Sequence, residues 1–298
     1  MSMNQYRLAD GNLIPIIGLG THHVDQNENM LVVIDRAISV GYSMIDTAQG
    51  YGNEIEIGNA LSQCGVNRSE IYIVSKLDDI FRREQEVIDS FEKSLENLRT
   101  EYIDLFLIHA PVSSRMQEKF CSNSVAYNKD YWVDLNCSAW LTLEGLVRKG
   151  LIKSLGVSNF GINHIEVIRN RIIFNPVLNQ LKTCIGHLDV HKELFEYCKK
   201  NNILVCGYSP FGKGGLLENG IIAGIANKYN RTPAQVVMRF LVSKGFAVVP
   251  RASKYTHLQE NISIYDFELS EDDNEILEKM RINEKWAMSK NAETGEFI

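Results

Sequence analysis

Short apolar runs rich in β-branched residues recur along the chain, and segments with helical periodicity separate them. Such alternation is typical of a parallel sheet whose strands are joined by crossover helices. We count about eight repeats, which predicts a (β/α)8 barrel of the TIM type, and we expect residues 1–298 to form a single domain. The predicted strands cover residues 14–20, 43–47, 70–76, 102–109, 152–158, 176–181, 203–209 and 246–250.

Two further elements are expected outside the repeat. The segment YRLADGNLIP places an Asp-Gly turn between apolar residues, which predicts an N-terminal β-hairpin. Residues 269–280 contain a Ser cap followed by acidic residues, which predicts an extra C-terminal helix. Among the crossover segments, residues 82–100 show the clearest helical pattern, because their apolar residues are spaced three and four apart.

The longest interruption of the pattern runs from Pro111 to about Leu135, directly after the fourth predicted strand. A loop of this length is uncommon in a compact domain and is usually either functional or disordered. Its Met, Phe, Tyr and Trp residues favour one wall of a binding site over a mobile excursion.

Composition narrows the choice of partner. The formal net charge is −6 and no helical face collects Lys and Arg, so neither nucleic acid nor a lipid surface is expected. No apolar run has the length of a membrane span, and the N-terminus lacks the profile of a signal peptide. The six scattered cysteines include no CxxC pair, which argues against a disulfide framework or a zinc site. We therefore expect a cytoplasmic protein that acts on small molecules.

Ionisable residues end three consecutive predicted strands. Asp46 follows the second strand, Lys76 ends the third, and His109 ends the fourth. Tyr51 lies on the loop that leaves the second strand. Taken singly, Asp46 could be a turn cap, Lys76 a surface lysine and His109 a core histidine. Active sites of such barrels lie at the carboxyl ends of the strands, so the combination predicts one convergent catalytic site.

The residue types also form a chemically sensible set. A phenol with a pKa of about 10 is a poor proton donor at neutral pH, and an adjacent ammonium lowers that pKa. Lys76 can supply the ammonium, and Asp46 is the counter-ion that a buried lysine needs. His109 would orient the substrate or relay a proton, which leaves Tyr51 as the proton donor.

Seven motifs closely resemble the aldo-keto reductase family in their order and spacing. They are GYSMIDTAQGYGNEIEIG, IVSKL, LFLIHAP, LGVSNF, NQ, GYSPFG and VVPRAS, and together the resemblance covers nearly the whole chain. It implies a (β/α)8 barrel, usually a monomer, that reduces carbonyls with a nicotinamide cofactor. It also implies that the catalytic tetrad is Asp46, Tyr51, Lys76 and His109.

The cofactor is not expected in a Rossmann domain, because no GxGxxG turn opens a βαβ unit. Barrels often bind phosphate at the loops after strands seven and eight. Here these loops read SPFGKGG and PRASK, and they offer backbone N–H groups with Lys213, Arg251 and Lys254 nearby. Without the resemblance, they could equally be solvated charged loops.

By resemblance, the nicotinamide amide would contact Ser158, Asn159 and Gln180, and Tyr208 would stack on the ring. Arg251 and His257 occupy positions that often bind the 2′-phosphate, so NADP(H) is preferred. NAD(H) remains an alternative because a neutral histidine is a weaker anion ligand than arginine. The cofactor-binding residues that the resemblance implies are Gly20, Thr21, Asp46, Ser158, Asn159, Gln180, Tyr208, Ser209, Phe211, Gly212, Arg251, Ala252, Ser253, His257, Glu260 and Asn261.

The substrate pocket departs from the family pattern. Ala110 follows the predicted catalytic histidine where many relatives carry Trp, and LKTC replaces the common EYH after NQ. The sequence therefore selects no particular aldehyde or ketone. No metal is expected at His22 and His23, because no third ligand follows at a recognisable spacing. Predicted substrate-binding residues are His22, Tyr51, His109, Ala110 and Trp132, and further candidates are His23, Phe120, Tyr127 and Tyr131, with Trp286 as a lid.

The functional prediction is therefore hydride transfer from NADPH to an aldehyde or ketone, with Tyr51 as the general acid. One alternative is an NADP(H)-sensing regulatory barrel with little turnover. A second is a barrel hydrolase with paired carboxylates, although no obvious second acid ends a strand next to Asp46.

Overall fold

The computed structural model describes residues 4–24, 29–78, 83–111, 129–186 and 188–281, without the side chains of residues 129–132. An antiparallel hairpin precedes a sheet of eight parallel strands. The hairpin strands are β1 (Gln5–Arg7) and β2 (Leu13–Pro15). The parallel strands are β3 (Leu19–Gly20), β4 (Met44–Asp46), β5 (Tyr72–Leu77), β6 (Ile103–Ile108), β7 (Ile152–Ser158), β8 (Leu178–Lys182), β9 (Leu204–Tyr208) and β10 (Ala247–Val249).

Helices connect the strands as the repeat predicts. They are α1 (Met30–Val40), α2 (Glu54–Cys64), α3 (Glu84–Leu98), α4 (Lys129–Arg148), α5 (Ile162–Arg169), α6 (Lys192–Lys200), α7 (Gly220–Tyr229), α8 (Pro233–Ser243), α9 (Tyr255–Ile262) and α10 (Glu271–Lys279). The predicted C-terminal helix is confirmed as α10, and the Ser270 hydroxyl caps it by accepting from the Asp273 N–H. Within the described ranges, no helix has the length and apolar character needed to cross a bilayer.

The eight parallel strands follow one another in chain order around the sheet. The first and last strands meet through backbone hydrogen bonds: the Gly18 N–H donates to Val248 O at 3.0 Å, and the Gly20 N–H donates to Pro250 O at 3.0 Å. The Val248 N–H in turn donates to Ile16 O at 2.8 Å. These bonds close the sheet, so the predicted (β/α)8 barrel is confirmed.

Two predicted boundaries are wrong. Residues 14–20 were expected to form one strand, but the hairpin strand ends at Pro15. The chain then pairs with β10 through a bridge at Ile17 before β3 begins at Leu19. A continuous apolar run hides this change of sheet, because no polar residue separates the two parts. The loop predicted to extend to Leu135 is also too long, since α4 already begins at Lys129. The earlier part of that loop lies outside the described residues.

Alternation along the strands points every second side chain into the barrel. Met44 and Val74 lie in the interior apolar cluster, and the next inward positions on their strands are Asp46 and Lys76. The interior is therefore apolar toward the amino ends of the strands and polar toward their carboxyl ends. This gradient gives the barrel one chemically active end.

The hairpin covers the opposite end of the barrel. Leu8 and Ile14 are buried in the same interior cluster as Met44 and Leu178, which stand at the amino ends of their strands. The Asp-Gly turn predicted for the hairpin is present, with Gly11 at a φ of 92°, in the left-handed region that glycine favours. The hairpin thus seals the barrel away from the end that carries the ionisable residues.

Gly58 allows α2 and α3 to approach each other closely. A Cβ atom at Gly58 would lie 2.2 Å from Asn97 O and 2.7 Å from the carbonyl carbon of Leu98. These are backbone atoms, so α3 would have to move as a whole to make room. Close packing of α2 matters for the site, because the loop before α2 carries Tyr51.

We expect Gly58→Ala to lower the free energy of unfolding by about 1–3 kcal/mol, because the added methyl group overpacks the helix contact. Urea denaturation would measure the change. Gly224→Ala is the matched control, since Gly224 is exposed on α7 and an added Cβ would meet nothing within 4 Å. That substitution should raise stability by up to about 1 kcal/mol. Equal effects at the two positions would contradict the packing explanation.

Candidate active site

Lys76 is the centre of the site and is fully buried on β5. Its ammonium lies 2.9 Å from both carboxylate oxygens of Asp46. The same nitrogen donates to Thr47 O at 2.8 Å and lies 3.2 Å from the Tyr51 hydroxyl. The structure thus brings together the tyrosine, the lysine and the aspartate that the sequence predicted would converge.

The ammonium of Lys76 remains charged inside the barrel. Burial alone lowers the pKa of Lys76, but the Asp46 carboxylate and the Tyr51 oxygen raise it by more, so the net shift is upward. Asp46 is itself held in place, because the Gln180 side-chain N–H donates to its Oδ1 at 2.6 Å. This bond ties β4 to β8 across the barrel.

Tyr51 is presented on a short 3-10 turn, Gln49–Tyr51, that follows β4. Its backbone N–H donates to Ala48 O at 3.0 Å, and Gly52 continues the chain at a φ of 73°. Burial raises the pKa of Tyr51 by more than the Lys76 ammonium lowers it, so the phenol keeps its proton at neutral pH. The predicted lowering by the ammonium operates, but the net shift is upward because the fold buries the ring.

Aromatic rings surround the Tyr51 phenol. The His109 ring lies edge-on to it with 5.6 Å between centroids, and the His22 ring lies 4.6 Å away. His109 follows β6, and its Nδ1 lies 3.9 Å from Asp78 Oδ1. His23 packs against His22 at 3.8 Å. Two predicted substrate-binding residues, His22 and His109, therefore flank the predicted acid.

A chain of hydrogen bonds links three strand ends beside the tetrad. The Tyr208 hydroxyl donates to Asn159 Oδ1 at 2.8 Å, and Asn159 Nδ2 donates to Ser158 Oγ at 3.1 Å. Asn159 Nδ2 also donates to His109 O at 3.0 Å. Asn159 has a φ of 61°, an unusual backbone conformation that directs its side chain along this chain of bonds. Together with Gln180, which donates to Asp46, the residues predicted to bind the nicotinamide therefore lie beside the predicted tetrad.

The loops after β9 and β10 lie at the same end of the barrel. Ser209 and Gly212 both have positive φ angles of 53°, which curve the backbone of the first loop tightly. In the second loop Arg251 is exposed, Ala252 is buried, and Ser253 O accepts from the Arg36 guanidinium at 3.2 Å. The remaining residues assigned by resemblance are Gly20 and Thr21 at the end of β3, Phe211 in the first loop, and His257, Glu260 and Asn261 on α9.

Asn261 provides a test of whether a cofactor fits these loops. Its side chain is buried, yet its Oδ1 atom accepts no hydrogen bond. A buried amide oxygen without a donor costs free energy, and the amino group of an adenine is a donor of the required kind. The residues present thus fit a nucleotide at this end of the barrel.

Some predicted residues cannot be placed. The side chains of Tyr131 and Trp132 on α4 lie outside the description, as do Phe120, Tyr127 and Trp286. Ala110 is described and is partly exposed at the end of β6. In the described part of the chain, no three His, Cys, Asp or Glu side chains are grouped so as to hold a metal ion.

The sequence prediction missed two residues that lie beside the predicted tetrad. Gln49 lies between Asp46 and Tyr51, and it accepts from the backbone N–H of Asp78 at 2.8 Å. Asp78 lies two residues after Lys76 and faces His109. Asp78 is an ionisable residue directly after β5, so the criterion that identified Asp46 and His109 could have found it. Gln49 lies close to residues already identified, but its neutral amide gives no signal that would single it out.

Comparison with known proteins agrees with this geometry. The model of the aldo/keto reductase family matches residues 16–282. The chain belongs to the aldo/keto reductase family. It is an oxidoreductase of that family with the eight-stranded barrel of its relatives.

Relatives cover nearly the full length of this aldo/keto reductase. It is 34% identical over 271 residues to the methylglyoxal reductase DkgA of Escherichia coli, covering 90% of each chain. It is 33% identical over 279 residues to the glyoxal reductase of Bacillus subtilis, covering 94% of this chain and 93% of the relative. The crystal structure of an aldo/keto reductase from Brucella melitensis aligns with a TM-score of 0.82 at 30% identity, covering 93% of this chain and 99% of that one.

We expect Lys76→Met to lower the free energy of unfolding by about 3–5 kcal/mol, because it leaves the Asp46 carboxylate buried without its counter-ion. Chemical denaturation would measure the loss. In the double variant Asp46→Asn/Lys76→Met, most of the stability should return, since no buried charge remains unpaired. If the double variant were as unstable as the sum of both single variants, the ion pair would not be the cause.

Proposed function

We propose that this aldo/keto reductase reduces an aldehyde or ketone to an alcohol by NADPH-dependent hydride transfer, with Tyr51 as the general acid. The observation that carries the proposal is the position of the Lys76 ammonium, 3.2 Å from the Tyr51 hydroxyl and 2.9 Å from the Asp46 carboxylate. A buried cation against a protonated phenol is suited to the release of a proton and to the stabilisation of the phenolate that remains.

The proton is the part of the reaction that this chain supplies. A reduced nicotinamide, when bound, supplies the hydride for the carbonyl carbon. Tyr51 donates its proton to the carbonyl oxygen, which becomes the alcohol hydroxyl. The negative charge left on Tyr51 is stabilised by Lys76 until the phenol regains a proton from solvent. Asp46 keeps Lys76 charged and oriented throughout.

His109 would position the substrate by a hydrogen bond to the carbonyl oxygen. Its ring stands edge-on to Tyr51, so both groups can address the same oxygen from different sides. His22 would form the opposite side of the pocket, since its ring lies 4.6 Å from that of Tyr51. Ala110 adds little bulk beside His109, which leaves space for the group attached to the carbonyl.

The cofactor would be held by the side chains that surround the tetrad. Ser158, Asn159 and Gln180 would bind the nicotinamide amide, and Tyr208 would stack on the ring. The loop after β9, which is tightly curved at Ser209 and Gly212, would lie against the pyrophosphate. The further residues in this role would be Gly20, Thr21, Phe211, Ala252, Ser253, Glu260 and Asn261.

Small dicarbonyl aldehydes are the substrates that we propose to test first. Two relatives, a methylglyoxal reductase and a glyoxal reductase, each align with at least nine-tenths of this chain. We further propose a monomer that acts in the cytoplasm. Cys137, Cys184, Cys198 and Cys206 are free and buried in the described part of the chain, as expected of a protein that needs no disulfide.

Replacement of Tyr51 by Phe tests the acid assignment. We expect Tyr51→Phe to lower kcat for methylglyoxal on the order of 10²- to 10⁴-fold, because it removes the proton donor but keeps the ring. The affinity for NADPH, measured by fluorescence titration, should stay nearly the same. Steady-state oxidation of NADPH measures the turnover.

Tyr265→Phe is a matched control, because Tyr265 is 40% exposed and takes no part in the proposed site. This variant should keep full turnover. Substantial turnover by Tyr51→Phe would contradict the acid assignment. Tight NADPH binding without reduction of any carbonyl in a panel would favour a cofactor-sensing barrel, and the absence of any stabilisation by NADPH would favour a hydrolase.

Arg251 and His257 should set the preference for NADPH. We expect Arg251→Met to raise the Kd for NADPH by about tenfold, because it removes one charge-assisted contact to the 2′-phosphate. The Kd for NADH, which lacks that phosphate, should change by less than about twofold. Fluorescence titration with both cofactors measures the two constants. Arg148→Met, on α4 and away from the site, is the control, and an equal loss for both cofactors would exclude a contact with the 2′-phosphate.

A further inference from the structure

The turn that presents Tyr51 is weakly held by packing. Gly50 is exposed and Gln49 is only partly buried, although the Tyr51 ring itself packs against His22 and His109. Tyr51 stands between Gly50 and Gly52. A cleft of about 460 Å³ lies beside the turn, between it and α3, and its lining includes Gln49, Ser90 and Ser94. Apolar contacts on this side therefore cannot by themselves fix where the turn lies.

The Gln49 side chain makes hydrogen bonds across this region. Its Nε2 donates to Ser90 O and to Ser94 Oγ, both at 2.9 Å. Its Oε1 accepts from the Asp78 backbone N–H and from Ser90 Oγ, both at 2.8 Å. Both N–H groups and both lone pairs of the amide are used, so its orientation is unique.

These four bonds connect the turn to two separate elements. Asp78 lies two residues after Lys76, directly after β5. A bond to its backbone therefore ties Gln49 to the strand that carries the lysine. Ser90 and Ser94 lie one helical turn apart on α3 and provide a rigid anchor on the other side. Gln49 thus links the turn with the phenol to the segment after β5 and to α3, in addition to the contact that Lys76 itself makes with Tyr51.

We infer that Gln49 is a positioning residue that fixes the Tyr51 hydroxyl against the Lys76 ammonium. The inference rests on the proposed function, because it assigns Gln49 a part in the same proton transfer. Gln49 does not contact the reacting atoms and acts only through Tyr51.

The geometry leaves little tolerance for movement of the turn. The Lys76 nitrogen and the Tyr51 oxygen are 3.2 Å apart, which is already at the long end of the hydrogen-bond range. A displacement on the order of 1 Å would break this contact, and misplacement of that size can cost on the order of a hundredfold in rate. The two glycines beside Tyr51 provide the backbone freedom for such a displacement.

The test is Gln49→Met, which keeps the length and approximate volume of the side chain but removes all four hydrogen bonds. We expect kcat for methylglyoxal to fall on the order of tenfold to a hundredfold. The KM for NADPH should change by less than about twofold, because Gln49 lies away from the loops that would hold the cofactor. A purely structural role would not produce this separation of kcat from KM.

A second readout does not require turnover. The ultraviolet difference spectrum between each protein and its Tyr51→Phe derivative isolates the titration of this one phenol. Burial raises the pKa of Tyr51 and the Lys76 ammonium lowers it, so a displacement that breaks the contact with Lys76 while the ring stays buried should move the pKa further up. Gln49→Met should show this upward shift in the full-length protein.

Gln235→Met is the matched control. Gln235 is likewise an amide that makes hydrogen bonds within the fold: its Nε2 donates to Ser263 O at 2.7 Å and its Oε1 accepts from the Thr232 N–H at 3.0 Å. It lies on α8, away from Tyr51, so this variant should lose stability without changing kcat or the titration of the phenol. Ser90→Ala removes only one bond to Gln49 and should show a smaller effect in the same direction, which provides a test if Gln49→Met does not fold.

The outcomes separate this inference from the proposed function. If the wild-type protein reduces no carbonyl but Gln49→Met still shifts the titration of Tyr51, the proposed function fails and the positioning role stands. The inference is overturned if a folded Gln49→Met or Ser90→Ala protein keeps the titration of Tyr51 unchanged. It is also overturned if Gln235→Met shifts the titration equally.

Discussion

The buried ammonium of Lys76 is the constraint on which the rest of the site depends. A charge with no exposure to water is tolerated only when its partners replace the water, and here Asp46, Thr47 and Tyr51 provide those partners. The carboxylate balances the charge, while the carbonyl and the phenol take up the remaining hydrogen bonds. One arrangement therefore keeps the lysine charged and at the same time places a phenol beside a cation.

The barrel makes this arrangement possible because apolar and polar inward positions are separated along each strand. The inward positions of β4 and β5 change from Met44 and Val74 to Asp46 and Lys76 within two residues. Cross-strand bonds then hold the polar layer, such as the bond from Gln180 to Asp46 between residues 134 positions apart. The apolar layer below and the hairpin at the opposite end exclude water from the lysine. The apolar side chains that stabilise the barrel and the polar side chains of the site thus occupy different layers of one interior.

Much of the fold and the central part of the site could be predicted from local patterns. Alternating β-branched runs and helical periodicity identified the barrel, and Ser270 and the Asp-Gly turn marked the final helix and the hairpin correctly. The boundaries that failed were those without a local signal. The change of sheet after Pro15 lies within one apolar run, and α4 begins at Lys129 inside a segment whose aromatic residues suit a loop or a helix equally.

The sequence by itself determined which ionisable residues end neighbouring strands, because the order of the strands and the two-residue alternation are local properties of the chain. Only the tertiary structure decided how these groups behave. The net upward shift of the Tyr51 pKa depends on burial by distant segments, and the restraint on its turn depends on hydrogen bonds from Gln49 to residues on α3. Desolvation and long-range hydrogen bonding arise only when segments far apart in sequence are packed together, so no local sequence pattern predicts them.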